Sequence, residues 1–189
     1  ILDFSPGLDV SVIFNGIDAA EFAAVDAEHL AKVSAKLGHS GDFILTVGHF
    51  EKRKNYARLI EALAGLHKSG KPLNLVMVGN DSGEMPAIRR QIEALGLSSH
   101  VVILSGVSDD TVRCLYHLAR LFVFPSYYEG FGIPVLEAMA AGCPMVLSDT
   151  PVFREITRGQ GLYFPFDDVP AMTEAIVTGL ESEPERQRQ

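Results

Sequence analysis

From Asp42 onward, short apolar runs rich in β-branched residues alternate with longer segments whose apolar positions recur at helical spacing. The runs are Phe43 to Val47, Leu73 to Val78, Val101 to Leu104, Leu121 to Phe124, Met145 to Leu147 and Leu162 to Phe164. Continuous apolar runs of this length, bounded by turn formers, predict strands covered on both faces. Between them, Leu59, Ile60, Leu63 and Leu66 fall on one helical face, as do Ile88, Ile92 and Leu95. The alternation predicts an α/β fold, a Rossmann-like parallel sheet with helices on both faces. Right-handed crossovers then bring Gly48, Gly79, Gly106, Ser126 and Asp149 to the carboxyl edge of the sheet, where open α/β sheets bind ligands. Residues 1–41 read differently. A short strand, Val10 to Phe14, runs into Asn15-Gly16 and then an Ala-rich helical stretch to Leu37, which predicts the end of an interdomain connection and first strand over 1–18 and a domain over 19–189.

Composition narrows the partners. The chain has 189 residues, 47% of them hydrophobic, enough for one domain with a core. Sixteen Lys+Arg against 24 Asp+Glu give a formal charge of -8, which argues against nucleic acid and against an anionic membrane surface. Any phosphate must therefore be held by a few local groups. Cys114 and Cys143 lack CxxC spacing, so two thiols in a reducing cytosol are expected. No apolar run approaches the roughly 18 residues of a membrane span, and the start at Ile1 has neither a signal-type leader nor an initiating Met, as expected of a piece of a longer chain.

The segment most informative about chemistry runs from Ser126 to Pro144 and passes from a strand into a helix. Gly130 and Gly132 allow close backbone approach, Pro134 suits a first helical turn, and the free N–H groups there can hold phosphate at the positive end of the helix dipole. Glu129 precedes the turn and Glu137 lies about one helical turn beyond it, so the two carboxylates can grip hydroxyls at different parts of one extended ligand. A loop charge and a solvated helix residue explain them equally well from spacing alone. Lys52, Arg53 and Lys54 form a basic cluster in an acidic chain; by themselves they read as a solvated helix entrance with Asn55 as N-cap, but their place after the first strand, on the ligand edge, points to an anion. Asp109 reads as a helix N-cap, and Tyr127 and Tyr128 as edge packing. Gly130-Phe-Gly132 opens a dinucleotide-type GxGxxG whose third position is Val135, which counts against a nicotinamide-dependent oxidoreductase. Neither a DxD triplet nor a cluster with metal-ligand spacing occurs, so no metal is expected.

Glu129 and Glu137, with seven residues between them inside EGFGIPVLEAMAAGCPMV, resemble the EX7E signature of the family 4, or group 1, retaining glycosyltransferases. Further stretches fit in order: Val12 to Asp18, Val47 to Asn55, Leu104 to Asp109 and Thr150 to Glu155. The resemblance covers the C-terminal half of a GT-B fold, the donor-binding domain, with the N-terminal acceptor domain absent. It implies that Glu137 binds the donor ribose, that Glu129 contacts the donor sugar, and that Phe131, Gly132 and Ile133 offer backbone donors beside Gly130. Arg53 and Lys54 would face the diphosphate, Val107 the base, and Gly48 and the Asn15-Gly16 turn the donor. His49 stands where many relatives carry Arg, so Arg53 is expected to take over that contact. The implied activity is transfer of a sugar from a nucleotide-diphosphate sugar, with retention, to an acceptor sugar or glycolipid in polysaccharide or glycolipid synthesis. The Glu51-Lys-Arg-Lys-Asn55 segment is similar to an EPRKN version that points to mannose and GDP-mannose. No cofactor besides this substrate is implied, and the location is cytoplasmic or peripheral at the inner face of the membrane, with membrane contact left open. The alternatives are a stand-alone nucleotide-sugar-binding module, the nicotinamide enzyme above, or a two-domain phosphorylase or epimerase.

Overall fold

The computed structural model describes residues 11, 13–37 and 42–186. Six strands, β1 (Phe43–Val47), β2 (Asn74–Val78), β3 (Val101–Leu104), β4 (Leu121–Phe124), β5 (Met145–Ser148) and β6 (Leu162–Phe164), form one sheet in the order β3-β2-β1-β4-β5-β6. Every pairing is parallel, with Val47 opposite Val78, Leu45 opposite Phe122 and Phe124 opposite Leu147. The chain first builds outward from β1 to β3, then returns to β1's other side and builds outward again. The order therefore turns back between β1 and β4, the place at the carboxyl edge where open α/β sheets bind ligands.

Both faces are covered, which is why the strands read as unbroken apolar runs. On one face Ile44, Leu75, Met77, Val123 and Val146 meet Leu59, Ile60 and Leu63 of α3 (Tyr56–Lys68) and Met172 and Ile176 of α8 (Val169–Arg186). On the other, Leu45, Phe122, Phe124 and Leu147 meet Leu115 and Tyr116 of α5 (Asp109–Leu118), Val135 and Ala138 of α6 (Ile133–Ala140) and Phe153 of α7 (Pro151–Ile156). Each fully buried Leu, Ile or Phe contributes about 1.5–3 kcal/mol by removal from water. Gly179 lets α8 lie directly on β4, since a Cβ there would stand 2.9 Å from Leu121 Cδ1.

Several expectations change. Of the strand expected from Val10 to Phe14, Val10 and Val12 lie outside the described residues, and Ser11, Ile13 and Phe14 have no strand partner. Ile13 is 93% exposed and Phe14 62%, with the Phe14 ring stacked on Phe131 instead of joining the sheet. The Ala-rich stretch is two helices, α1 (Ala19–Ala23) and α2 (Ala27–Lys36), because Asp26 interrupts it and caps α2 by accepting from the His29 N–H at 2.7 Å. Ser108, not Asp109, is the N-cap of α5; its hydroxyl accepts from the Thr111 N–H. Leu95 falls just past α4 (Met85–Ala94) and is exposed, unlike Ile88 and Ile92. Cys114 and Cys143 are buried free thiols. Among the described residues no helix is long and apolar enough to cross a membrane.

Candidate functional site

The sheet's carboxyl edge is shaped first by backbone. A Cβ at Gly79, just past β2, would stand 2.0 Å from Gly48 O, so only glycine lets the β1 and β2 exits lie this close. A Cβ at Gly48 would in turn stand 3.1 Å from Lys54 Nζ. The Gly48 N–H donates to Val78 O, and the fully buried Phe50 ties the β1 loop to Asn80 O, so this loop is held on the sheet rather than free. His49, between them, is exposed.

Lys52–Lys54 form one 3-10 turn that leaves Lys52 in solvent and sends Arg53 and Lys54 to one carboxylate. Lys52 is exposed, whereas Lys54 Nζ is 2.7 Å from Glu129 Oε1 and Arg53 Nη1 is 2.5 Å from Glu129 Oε2. The Lys54 and Glu129 side chains are only 6% and 8% exposed. Arg53 also reaches Glu51 Oε1 at 2.6 Å and donates to Tyr128 O at 3.1 Å, and Lys54 Nζ sits 4.6 Å above the Phe124 ring. Burial alone would raise the Glu129 carboxyl, but the hydrogen bonds and charges of Lys54 and Arg53 outweigh it and hold Glu129 below the usual carboxylate range. Burial also lowers Lys54, only partly opposed by Glu129. With two cations on one carboxylate, the consistent state is an ionised trio. Neither a solvated helix entrance nor a free loop charge describes it.

Helix α6 begins beside this trio. Its N-cap is Gly132 at φ 103, ψ 54, and a Cβ there would stand 2.9 Å from Phe153 Cε1. No side chain caps the helix, and the first N–H groups of an α-helix have no partner within it, so the turn Gly130–Ile133 presents donors at the positive helix end. Val135, the third position of the dinucleotide-type pattern, is fully buried in the core. Beyond the turn, Glu137 accepts a hydrogen bond from the Tyr116 hydroxyl at 2.8 Å. Burial raises the Glu137 carboxyl, and Tyr116 opposes this only in part. Glu137 lines a crevice of about 280 Å³ with Ile17, Asp18, Asp109 and Arg113. A second crevice, about 260 Å³, lies between Phe14, Asn15, Gly130, Phe131 and Glu155.

The structure thus brings Arg53, Lys54, Gly48 and Glu129 together, with Gly130, Phe131, Gly132 and Ile133 adjoining, and sets Glu137 further along α6. Gly16 is exposed in the irregular stretch between the two crevices. Val107 is half-buried against the α5–α6 face of the sheet, after a Gly106 N–H that donates to Asn80 Oδ1 at 3.2 Å. Tyr127 packs on Phe166 and donates its hydroxyl to Lys52 O, while Tyr128 stays exposed. Asn55 occupies the N-cap position of α3 but its side chain makes no capping bond. Tyr116 and Asn80 support the site without a local sequence signal, because their partners Glu137 and Gly106 are distant in sequence, and Tyr56 donates its hydroxyl to Gly48 O across the β1 loop. A larger cavity of about 780 Å³, lined by Leu121, Cys143, Met145, Leu162 and Gly179, opens at the opposite edge and has no charged lining residue. Volume is a poorer guide here than the convergence of charge. Among the described residues no group of three His, Cys, Asp or Glu could hold a metal ion.

The sequence profile of the glycosyl transferases group 1 matches residues 30–189. The serotype-specific mannosyltransferase WbdA of Escherichia coli is 34% identical over 169 residues, covering 86% of this chain and 21% of that protein. The O-antigen chain mannosyltransferase RfbU of Salmonella typhimurium is 30% identical over 167 residues, 88% of this chain and 43% of its own. The chain therefore spans less than half the length of these relatives. Among solved structures, a glycosyltransferase from Rickettsia africae superposes with TM-score 0.80 at 22% identity over 90% of this chain and 47% of that one, a likeness of fold. Anabaena HepE, solved with UDP and glucose, superposes with TM-score 0.77 at 26% identity, covering 92% of this chain and 48% of that one.

Proposed function

This chain belongs to the glycosyl transferases of group 1, and from that membership we propose that it is the donor-binding part of a retaining sugar transferase. The donor is a nucleoside diphosphate sugar, GDP-mannose first among candidates. The product is a polysaccharide or glycolipid made in the cytoplasm or at the inner face of the membrane. The observation that carries this reading is the trio Arg53, Lys54 and Glu129 beside the uncapped start of α6, with Glu137 further along the same helix. Relatives named as mannosyltransferases and a structural neighbour solved with UDP and glucose support it.

In this account Glu137 takes ribose hydroxyls, the Gly130–Ile133 turn takes phosphate oxygens, and Val107 adjoins the base. Arg53 and Lys54 face the diphosphate. Their pairing with Glu129 does not use them up, because a guanidinium has five N–H donors and an ammonium three. As the bond from the sugar's anomeric carbon to the β-phosphate oxygen breaks, its electron pair leaves with the diphosphate. Fixed cations and a helix N-terminus stabilise that growing charge more than they stabilise the intact donor. Glu129, kept ionised by the same cations, can only accept hydrogen bonds and so serves sugar hydroxyls rather than acting as an acid. The acceptor and any acceptor-side base belong to the remainder of the longer protein, and transfer by this chain alone is not expected.

Calorimetric titration of the chain with GDP, UDP and ADP tests the reading. Saturable binding of one of them, lost in Glu137→Ala with the fold intact, is the expected result; heat for none of the three would contradict it.

A further inference from the structure

We propose that Asn55 is a positioning residue that fixes the Arg53–Lys54 cations for the diphosphate; this rests on the reading of the site given above. Asn55 adopts φ 58, ψ 29 and, with Arg158, is one of two described non-glycine residues with positive φ. Asparagine tolerates this left-handed conformation better than most side chains. It is 8% exposed.

Its side chain does not cap α3. Both hydrogens of its amide are spent on other loops: Nδ2 donates to Pro125 O at 3.1 Å and to Phe166 O at 2.8 Å. Pro125 opens the loop that leaves β4 and carries Glu129; Phe166 lies just past β6. One amide group therefore ties the β1 exit to the β4 and β6 exits, across the place where the strand order turns back. Two further bonds follow the same seam, the Tyr127 N–H to Arg53 O at 3.1 Å and the Tyr127 hydroxyl to Lys52 O at 2.6 Å.

The residue before this clamp is Lys54, whose reach to Glu129 is set by the backbone that Asn55 turns. There is little slack, because Lys54 is 5% exposed, with Nζ 2.7 Å from Glu129 Oε1 and 4.6 Å above the Phe124 ring. A cation held in place before the ligand arrives stabilises phosphate charge better than one that must reorganise. Aspartate has the same shape but no donor, and glycine has the backbone freedom but no side chain. Asparagine supplies both the left-handed turn and two donors.

The test compares wild type with Asn55→Gly, which keeps the left-handed turn and removes both donors. Dissociation constants are measured for GDP and GMP, UDP and UMP, and ADP and AMP, with thermal melts alongside. Wild type is expected to prefer one diphosphate over its monophosphate. In Asn55→Gly that preference falls about tenfold, as when one charge-assisted contact is misplaced, while monophosphate binding is nearly unchanged. If Asn55→Gly does not fold, Asn55→Ser, which keeps one donor, is expected to show a smaller fall in the same ratio. Equal weakening of diphosphate and monophosphate, or an unchanged preference, would overturn the proposal and leave the site reading standing. A wild type that binds none of the six would overturn both.

Discussion

Lys54 Nζ lies 2.7 Å from Glu129 Oε1, a contact between residues 75 apart in sequence that exists because the sheet turns back between β1 and β4. A buried ion pair adds little net stability, but removing one partner strands the other charge at about 3–5 kcal/mol. Glu129→Gln, which leaves the buried Lys54 without its carboxylate, should lower unfolding free energy by that order in denaturant titrations, and Lys54→Met, which leaves Glu129 still paired with Arg53, should lower it by less. The double variant should be clearly more stable than the sum of the two losses predicts. Additive losses would mean the pair is not coupled.

The two glutamates should respond to pH with opposite sign. Glu129 is depressed in the folded protein, so its stabilisation is complete above the unfolded value of about 4.3 and is lost as pH falls through the lower folded value. Glu137 is raised by burial, so ionising it costs stability as pH rises from about 4.3 through the higher folded value. Glu129→Gln should therefore be less stable than wild type at pH 7 and converge with it in acid. Glu137→Gln should be more stable at pH 7 and gain nothing in acid. Melts across the pH range decide this, and parallel curves for either variant would contradict it.

Gly79→Ala places a Cβ 2.0 Å from Gly48 O, a contact that only backbone displacement can relieve. We expect a loss of about 3 kcal/mol or more by chemical denaturation. Gly130→Ala, whose Cβ meets nothing within 4 Å, should change stability by under about 0.5 kcal/mol. Similar losses in both would show that the β1 and β2 exits are not packed as described.

Tyr116→Phe removes the hydroxyl that donates to Glu137 at 2.8 Å. Nucleotide affinity measured by calorimetry should fall several-fold, the scale of about 1 kcal/mol for one hydrogen bond, with the fold retained. Unchanged affinity would detach Tyr116 from the site.

Much of this architecture could be read from the residues in order. Parallel strands covered on both faces leave an unbroken apolar run, so β1 to β6 and the glycines at their ends were marked locally. Glu129, Glu137, Arg53 and Lys54 were marked too, each by its neighbours in sequence. Their pairing was not, because only topology brings the β1 and β4 exits together. Tyr116 carries no local sign of its bond to Glu137, and Asn55 at a helix start looks like a cap until the amide is seen reaching Pro125 O and Phe166 O. The run from Val10 to Phe14 has a strand's composition, but Ser11, Ile13 and Phe14 find no strand to pair with, so tertiary context overrides local preference. Little marks α8 locally beyond the spacing of its buried Met172 and Ile176, and Gly179 is there for close packing on Leu121.

We place a nucleoside diphosphate on the Gly130–Ile133 turn, at the carboxyl edge of the sheet. The most direct test follows amide signals of the isotope-labelled chain by NMR while GDP, UDP and ADP are added in turn. For the nucleotide that binds, we predict the largest shifts at Phe131, Gly132 and Ile133, with further shifts at Gly48 and Val107. Shifts centred on Cys143, Gly161 and Gly179 at the opposite edge, or no shifts with any of the three, would contradict the account.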